Sequence, residues 1–97
     1  MGRLDGKVAV LTGAGSGIAR AAAQMFTREG AKVVVAEINE SLGADSADRA
    51  GPNAIFVPTD VTDDASVKNT MAVAADTFGR IDILHNCAGG SVIEDKN

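Results

Sequence analysis

Thr12-Gly13-Ala14-Gly15-Ser16-Gly17-Ile18 is the stretch of this chain best suited to hold a ligand. Its glycines permit positive φ and remove the Cβ atoms that would keep a ligand away from the backbone. An apolar run precedes the stretch and a helical pattern follows it. A helix starting near Gly17 aims unpaired N–H groups and the positive end of its dipole at an anion, and Ser16 adds a hydroxyl donor. The chemistry open to the stretch is the seating of a dinucleotide pyrophosphate by backbone amides; the alternative for the turn taken alone is a tight bend and nothing more. Ile18 stands where a strict G-x-G-x-x-G pattern has its last glycine, and the absence of a following Gly-Lys-Ser/Thr excludes a P-loop.

Glu37 is the second such residue, twenty positions beyond Gly17 at the end of a valine-rich run. A carboxylate there accepts hydrogen bonds from the adenosine ribose hydroxyls of NAD and repels the 2′-phosphate of NADP. Ile38 and Asn39 follow it, with no arginine beside it and no basic residue in the glycine turn. A solvated strand end would also carry such a carboxylate, so Glu37 gains its meaning from the turn. His85 and Cys87, the single histidine and single cysteine, share a face if the segment is a strand. Nothing nearby marks an oxyanion hole for a Cys–His pair, and two ligands do not make a zinc site.

These residues need elements to position them. Val8-Ala9-Val10-Leu11, Val33-Val34-Val35-Ala36, Ala54-Ile55-Phe56-Val57 and Ile81-Asp82-Ile83-Leu84 read as strands. The first three are continuous rather than alternating, as a strand covered on both faces requires. Ile18, Ala22, Met25 and Phe26 predict the inner face of a first helix, stopped at Gly30. Val67, Met71, Ala74 and Phe78 predict another, capped by Asp63 and ended by Gly79. Between them, Asn39 to Ala50 predicts a short helix capped by Asn39, anchored by Leu42 and weakened at Gly43 by about 1 kcal/mol, then a loop at Gly51-Pro52-Asn53. The carboxylates Asp45, Asp48, Asp63 and Asp64 read as solvated helix faces or caps. The order β-α-β-α-β-α-β implies an α/β fold with a parallel sheet and right-handed crossovers.

Ninety-seven residues with 45% apolar and 23% charged side chains describe one small domain, residues 1–97. A net charge of −4 gives no surface for tracking nucleic acid. One cysteine fits a reducing compartment, and no apolar run reaches membrane-spanning length. With no signal-peptide core at the start, the expected setting is cytoplasmic.

Thr12-Gly13-x-x-x-Gly17, Glu37, Asp60-Val61-Thr62 and Asn86-Cys87-Ala88-Gly89 occur in order, and together the chain resembles the N-terminal half of the short-chain dehydrogenase/reductase family. The resemblance runs from Leu4-Asp5-Gly6-Lys7 through Gly90. It implies a Rossmann-type parallel sheet, truncated to about four strands in the order 3-2-1-4. It implies NAD as cofactor, with Gly13, Ser16, Gly17 and Ile18 at the pyrophosphate and Glu37 at the ribose. Asp60 and Val61 would line the adenine site, the Asp60 carboxylate accepting from its amino group or capping its own turn, and Ile38 would be a further cofactor-binding residue. Asn86, Ala88 and Gly89 would support the nicotinamide side. Two positions depart from the family pattern: Ala19, where a glycine is usual, and Cys87, where an asparagine is usual.

The family transfers a proton through a tyrosine with a lysine four residues on, and a serine positions the substrate oxygen. These 97 residues contain no tyrosine, and Ser91 and Lys96 stand at the wrong place for those roles. The chain is therefore expected to be the NAD(H)-binding part of an alcohol/ketone oxidoreductase, inactive as this fragment, with substrate engaged only in a full-length form. The alternative is a free-standing, non-catalytic nucleotide-binding or interaction module. Self-association is expected through the outer edge of the fourth strand, guarded only by Asp82.

Overall fold

Valine-rich runs become strands because branched side chains pack well on a pleated surface, and here they do so on both faces of one sheet. The computed structural model describes residues 3–13 and 17–86. The elements alternate as β1 (Val8–Thr12), α1 (Gly17–Arg28), β2 (Lys32–Glu37), α2 (Glu40–Ala50), β3 (Ala54–Pro58), α3 (Asp64–Phe78) and β4 (Ile83–Asn86). All three strand pairings are parallel and the order is β3-β2-β1-β4. Val8 to Thr12 sit opposite Lys32 to Ala36 on one side, and Ala9 to Thr12 sit opposite Ile83 to Asn86 on the other. The Rossmann-type parallel sheet in the order 3-2-1-4 expected from the sequence is observed among the described residues.

Alternate residues of the central strands feed two separate cores. Ala9, Leu11, Val33 and Val35 join Ala23, Ala31 and Ala47, while Val10, Val34, Ala36 and Val57 join Ala74. Residues Ala9 to Leu11 and Val33 to Ala36 are wholly buried. Each such valine contributes about 1.5–3 kcal/mol by leaving water, so the middle of the sheet carries most of the cohesion.

The helices follow the expected ranges, but two expected anchors face outward. Met25 is 52% exposed and Leu42 is 42% exposed. On α1 the inner stripe is instead Ala22, Ala23, Phe26 and Thr27. Small residues let the helix lie close to the sheet, and the Thr27 hydroxyl reaches the Ala50 carbonyl at 3.0 Å, tying α1 to the end of α2. On α2 the buried residues are Gly43, Ser46 and Ala47. A Cβ at Gly43 would overlap the Phe56 ring and stand 3.0 Å from Glu37 Cβ. Gly43 thus gives α2 room for the Phe56 ring of β3, rather than being merely a weak spot in a helix.

Caps close α2 and α3 as expected. Asn39 Oδ1 accepts from Leu42 N–H at 3.0 Å, and Asp63 Oδ1 accepts from Ala65 N–H at 3.0 Å. Gly79 ends α3 with φ of 85°, a left-handed conformation that glycine adopts without a Cβ penalty. Thr70 and Ala74 are the buried residues of α3, with Met71, Val73 and Phe78 packed around Ala74.

The fourth strand begins two residues later than the apolar run suggested, at Ile83 rather than Ile81. Asp82 is the reason. Its N–H donates to the Val8 carbonyl at 2.8 Å, and its Oδ2 accepts from Val8 N–H at 2.9 Å. The side chain stands in for a backbone carbonyl and marks the mouth of the β1–β4 ladder. Its other oxygen, Oδ1, accepts from Arg80 at 2.7 Å. Asp82 is therefore a clamp between β1 and β4. Arg80 and the Val8 amide hold its carboxyl below the ordinary value. Among the described residues no helix is long and apolar enough to cross a membrane.

Candidate functional site

Parallel strands of one order end on the same side, so the residues that follow β1, β2 and β3 must meet there. Gly13 closes β1 with φ of 69°. Its N–H donates to the Ala36 carbonyl at 2.8 Å, which locks the start of the glycine turn to the end of β2. Thr59 N–H donates to the Glu37 carbonyl at 3.0 Å, which locks the end of β3 to the same place. Gly13, Glu37 and the Asp60 loop are thereby bonded into one rim.

Glu37 is half-buried at the end of β2, and its Oε2 accepts from Asn39 N–H at 2.9 Å. Asn39 is itself the cap of α2, so helix and carboxylate are oriented together. Asp60 Oδ1 accepts from both the N–H and the hydroxyl of Thr62, at 2.9 and 2.6 Å. These two donors, the hydroxyl first, keep the Asp60 carboxyl below its ordinary value. It is an ionised acceptor at neutral pH. The turn-holding role weighed in the sequence is thus real for Oδ1.

Gly13, Glu37, Ile38, Thr59 and Asp60 to Thr62 line a cleft of about 250 Å³. Ile38 is 64% exposed and Val61 is 42% exposed. Two exposed apolar side chains in one cleft, beside two carboxylates, form a surface suited to a flat, partly polar ring. Its acceptors can take N–H or O–H groups, and it reaches along the strand ends from β3 to β1, the strand that with β4 flanks the reversal of strand order. In open α/β sheets ligands sit at that reversal.

The remaining expected site residues are placed as follows. Gly17 opens α1 and Ile18 lies in its first turn. Asn86 ends β4, opposite Thr12. Ser16, Ala88 and Gly89 lie outside the described residues, as does Cys87. His85 lies on β4 with its ring 6.4 Å from that of Phe26. Among the described residues no group of three potential metal ligands converges.

Several contributors escaped the sequence reading. Ser66 accepts from Asp60 N–H at 2.8 Å, and the buried hydroxyls of Thr59 and Thr70 lie 2.5 Å apart. Small hydroxyl residues in a loop and a helix carry no periodic signal, and only their meeting across the fold gives them a role. Asp45 is not simply a solvated face: it pairs with Arg49 at 2.8 Å and with Arg20 of α1 at 3.5 Å.

Residues 7–97 match the family model described as short chain dehydrogenase, and the chain belongs to that family. Sorbitol dehydrogenase of Cereibacter sphaeroides is 46% identical over 86 residues, covering 89% of this chain and 34% of that protein. The mitochondrial borneol dehydrogenase of Lavandula x intermedia is 45% identical over 87 residues, covering 90% of this chain and 33% of its own length. A 3-ketoacyl-(acyl-carrier-protein) reductase from Brucella melitensis, solved with NADH, superposes with a TM-score of 0.81 at 38% identity over 84% of this chain and 33% of that one. The glucose dehydrogenase of Caenorhabditis elegans in its apo form gives a TM-score of 0.84 at 38% identity over 92% of this chain and 40% of that one. The chain spans about a third of the length of the curated relatives it matches.

Proposed function

We propose that residues 1–97 are one dinucleotide-binding domain of an oxidoreductase that interconverts an alcohol and a ketone, with NAD(H) as its cofactor. The observation that carries this reading is the cleft at the ends of β1, β2 and β3, where an exposed apolar lining meets the Glu37 and Asp60 carboxylates. A purine fits between side chains such as Ile38 and Val61, its amino group donating to Asp60. Ribose hydroxyls donate to Glu37. Gly13, Ser16, Gly17 and Ile18 hold the pyrophosphate through backbone N–H groups, and Asn86, Ala88 and Gly89 support the nicotinamide side. The bound nicotinamide supplies the hydride acceptor or donor.

Glu37 carries the preference for NAD. Its negative charge opposes a 2′-phosphate, and the residues that follow it, Ile38 and Asn39, are uncharged. These 97 residues hold no tyrosine, so binding without turnover is the expected behaviour of the chain alone. Without a proton-transfer group the rate loss is roughly 10²–10⁴. The setting is cytoplasmic, in keeping with a single cysteine in a reducing compartment.

Calorimetric titration with NAD and NADP tests the reading. NAD is expected to bind more tightly, and Glu37→Ala is expected to narrow the gap between the two. Tighter binding of NADP by the unsubstituted chain overturns the assignment of Glu37.

A further inference from the structure

The Asp60 loop is held from behind by a chain of hydroxyls that the proposed function leaves unused. Asp60 N–H donates to Ser66 Oγ at 2.8 Å. The Ser66 carbonyl accepts from Thr70 Oγ1 at 3.1 Å. Thr70 Oγ1 lies 2.5 Å from Thr59 Oγ1, and Thr59 Oγ1 donates to the Val57 carbonyl at 2.9 Å. Thr59 and Thr70 are 3% and 1% exposed. The chain begins on β3, passes through the first turns of α3 and returns to the loop between them.

Each hydroxyl has one proton, so two protons serve three contacts of the threonine pair. In one arrangement Thr59 donates to Val57 and accepts from Thr70. In the other Thr70 donates to Ser66 and accepts from Thr59. Both keep the two oxygens bonded, so the join between β3 and α3 survives either choice. The join is buried and insulated from water, where a hydrogen bond is stronger than at the surface.

Its effect falls on residues 59–62. Thr59 is fixed from below by the threonine pair and sideways by the Glu37 carbonyl. Asp60 is fixed through its N–H by Ser66 and through its carboxylate by Thr62. The Asp60 carbonyl accepts from Asp63 N–H at 3.0 Å. With its N–H, carbonyl and Oδ1 all anchored, Asp60 is held in one orientation at the cleft, and Val61 follows it in the same loop.

We propose that Ser66, backed by the Thr59–Thr70 hydroxyl pair, is the positioning residue for the adenine end of the dinucleotide. It touches no part of the cofactor and acts through the backbone of Asp60. This rests on the nucleotide reading above. It goes further by assigning selectivity for one half of the cofactor to a side chain on α3. A joint that only fastens α3 to the sheet would loosen every part of the site together. A positioning joint affects the adenine half alone.

The experiment measures dissociation constants of ADP-ribose and of nicotinamide mononucleotide for the unsubstituted chain, Ser66→Ala, Ser66→Thr and Thr70→Val. Amide hydrogen exchange at Asp60 is followed in the same samples. Ser66→Ala is expected to speed exchange at Asp60 and weaken ADP-ribose about fivefold, the effect of one ordinary hydrogen bond. Binding of nicotinamide mononucleotide is expected to stay unchanged, and Ser66→Thr, which keeps the hydroxyl, to restore ADP-ribose. Thr70→Val is expected to act in the same direction but less. Should Thr70→Val fail to fold, the half-buried Ser66 substitutions decide alone. Faster exchange at Asp60 with unchanged ADP-ribose binding overturns the proposal, and so does equal weakening of both ligands. If the unsubstituted chain binds no ADP-ribose, the nucleotide reading itself fails and this inference falls with it, an outcome distinct from the other two.

Discussion

Gly43→Ala is a substitution whose two effects oppose each other. In a helix interior alanine is favoured over glycine by about 1 kcal/mol. At this position, however, the new Cβ would overlap Cε1 and Cδ1 of the Phe56 ring and crowd Glu37 Cβ. The ring packs against the core that holds Val33, Val35 and Ala47, so moving it loses burial as well as contact. Overpacking of this kind costs about 1–3 kcal/mol. The balance is a net loss of about 1 kcal/mol, or a fall of roughly 4–8 °C in Tm for a domain of this size. A double-mutant cycle with Phe56→Ala separates the terms. Once the ring is gone, Gly43→Ala is expected to stabilise by up to about 1 kcal/mol, giving a coupling of about 2 kcal/mol. Urea unfolding followed by circular dichroism measures all four variants. Phe56 borders a groove of about 510 Å³ beside Ala44, Ala47 and Ile55. If Gly43→Ala alone stabilises the chain, the ring has swung into that groove at no cost and the close-approach argument is refuted.

Three further outcomes are expected. Asp82 has a carboxyl pKa held below its ordinary value of 3.8; its stabilisation is therefore complete above that value and lost as pH falls through the folded-state pKa. Acid unfolding of Asp82→Asn should lack this component, and an unchanged acid limb would remove Asp82 from the clamp. Gly79→Ala, at φ of 85°, should cost about 1–2 kcal/mol through left-handed strain, measured by thermal melting; a neutral result would show that α3 ends differently in solution. Sedimentation at micromolar concentration should show dimers or larger species paired along β4, where Leu84 is 54% exposed, with Ile83→Pro shifting the distribution toward monomer, whereas a monomer at all concentrations would contradict the edge-pairing idea.

The architecture was legible because its signals are local and repeated. Continuous valine runs, Asn39 and Asp63 as caps, and Gly79 as a stop each declare themselves within a few residues. Where the reading slipped, the deciding partner lay far along the chain. Ile81-Asp82-Ile83-Leu84 looks like a strand, but the partner that shifts it is Val8. Met25 and Leu42 are apolar at helical spacing, yet the inner faces went mostly to small residues, Ala22 and Ala23 beside Phe26 on α1 and Gly43, Ser46 and Ala47 on α2. At the candidate site, Glu37 and Asp60 were visible as acids at strand ends. Ser66, Thr59 and Thr70 were not, since a hydroxyl becomes informative only when its partner on another element is known.

The central position of β1 has a consequence for synthesis. It is the earliest in sequence of the four described strands, yet its neighbours on the two sides are β2 and β4. Its ladder is complete only when Asn86 has been added. At about 5–20 residues per second, the interval between Val8 and Asn86 is roughly 4–16 s. Until β2 follows it this apolar strand has no neighbour, and until β4 follows it one flank stays open. Parallel pairings that close such long loops form slowly. The segment Val8-Ala9-Val10-Leu11 is therefore the natural target for a holding chaperone during translation, and slowing elongation between β2 and β4 should lower the soluble yield more than slowing it before β1.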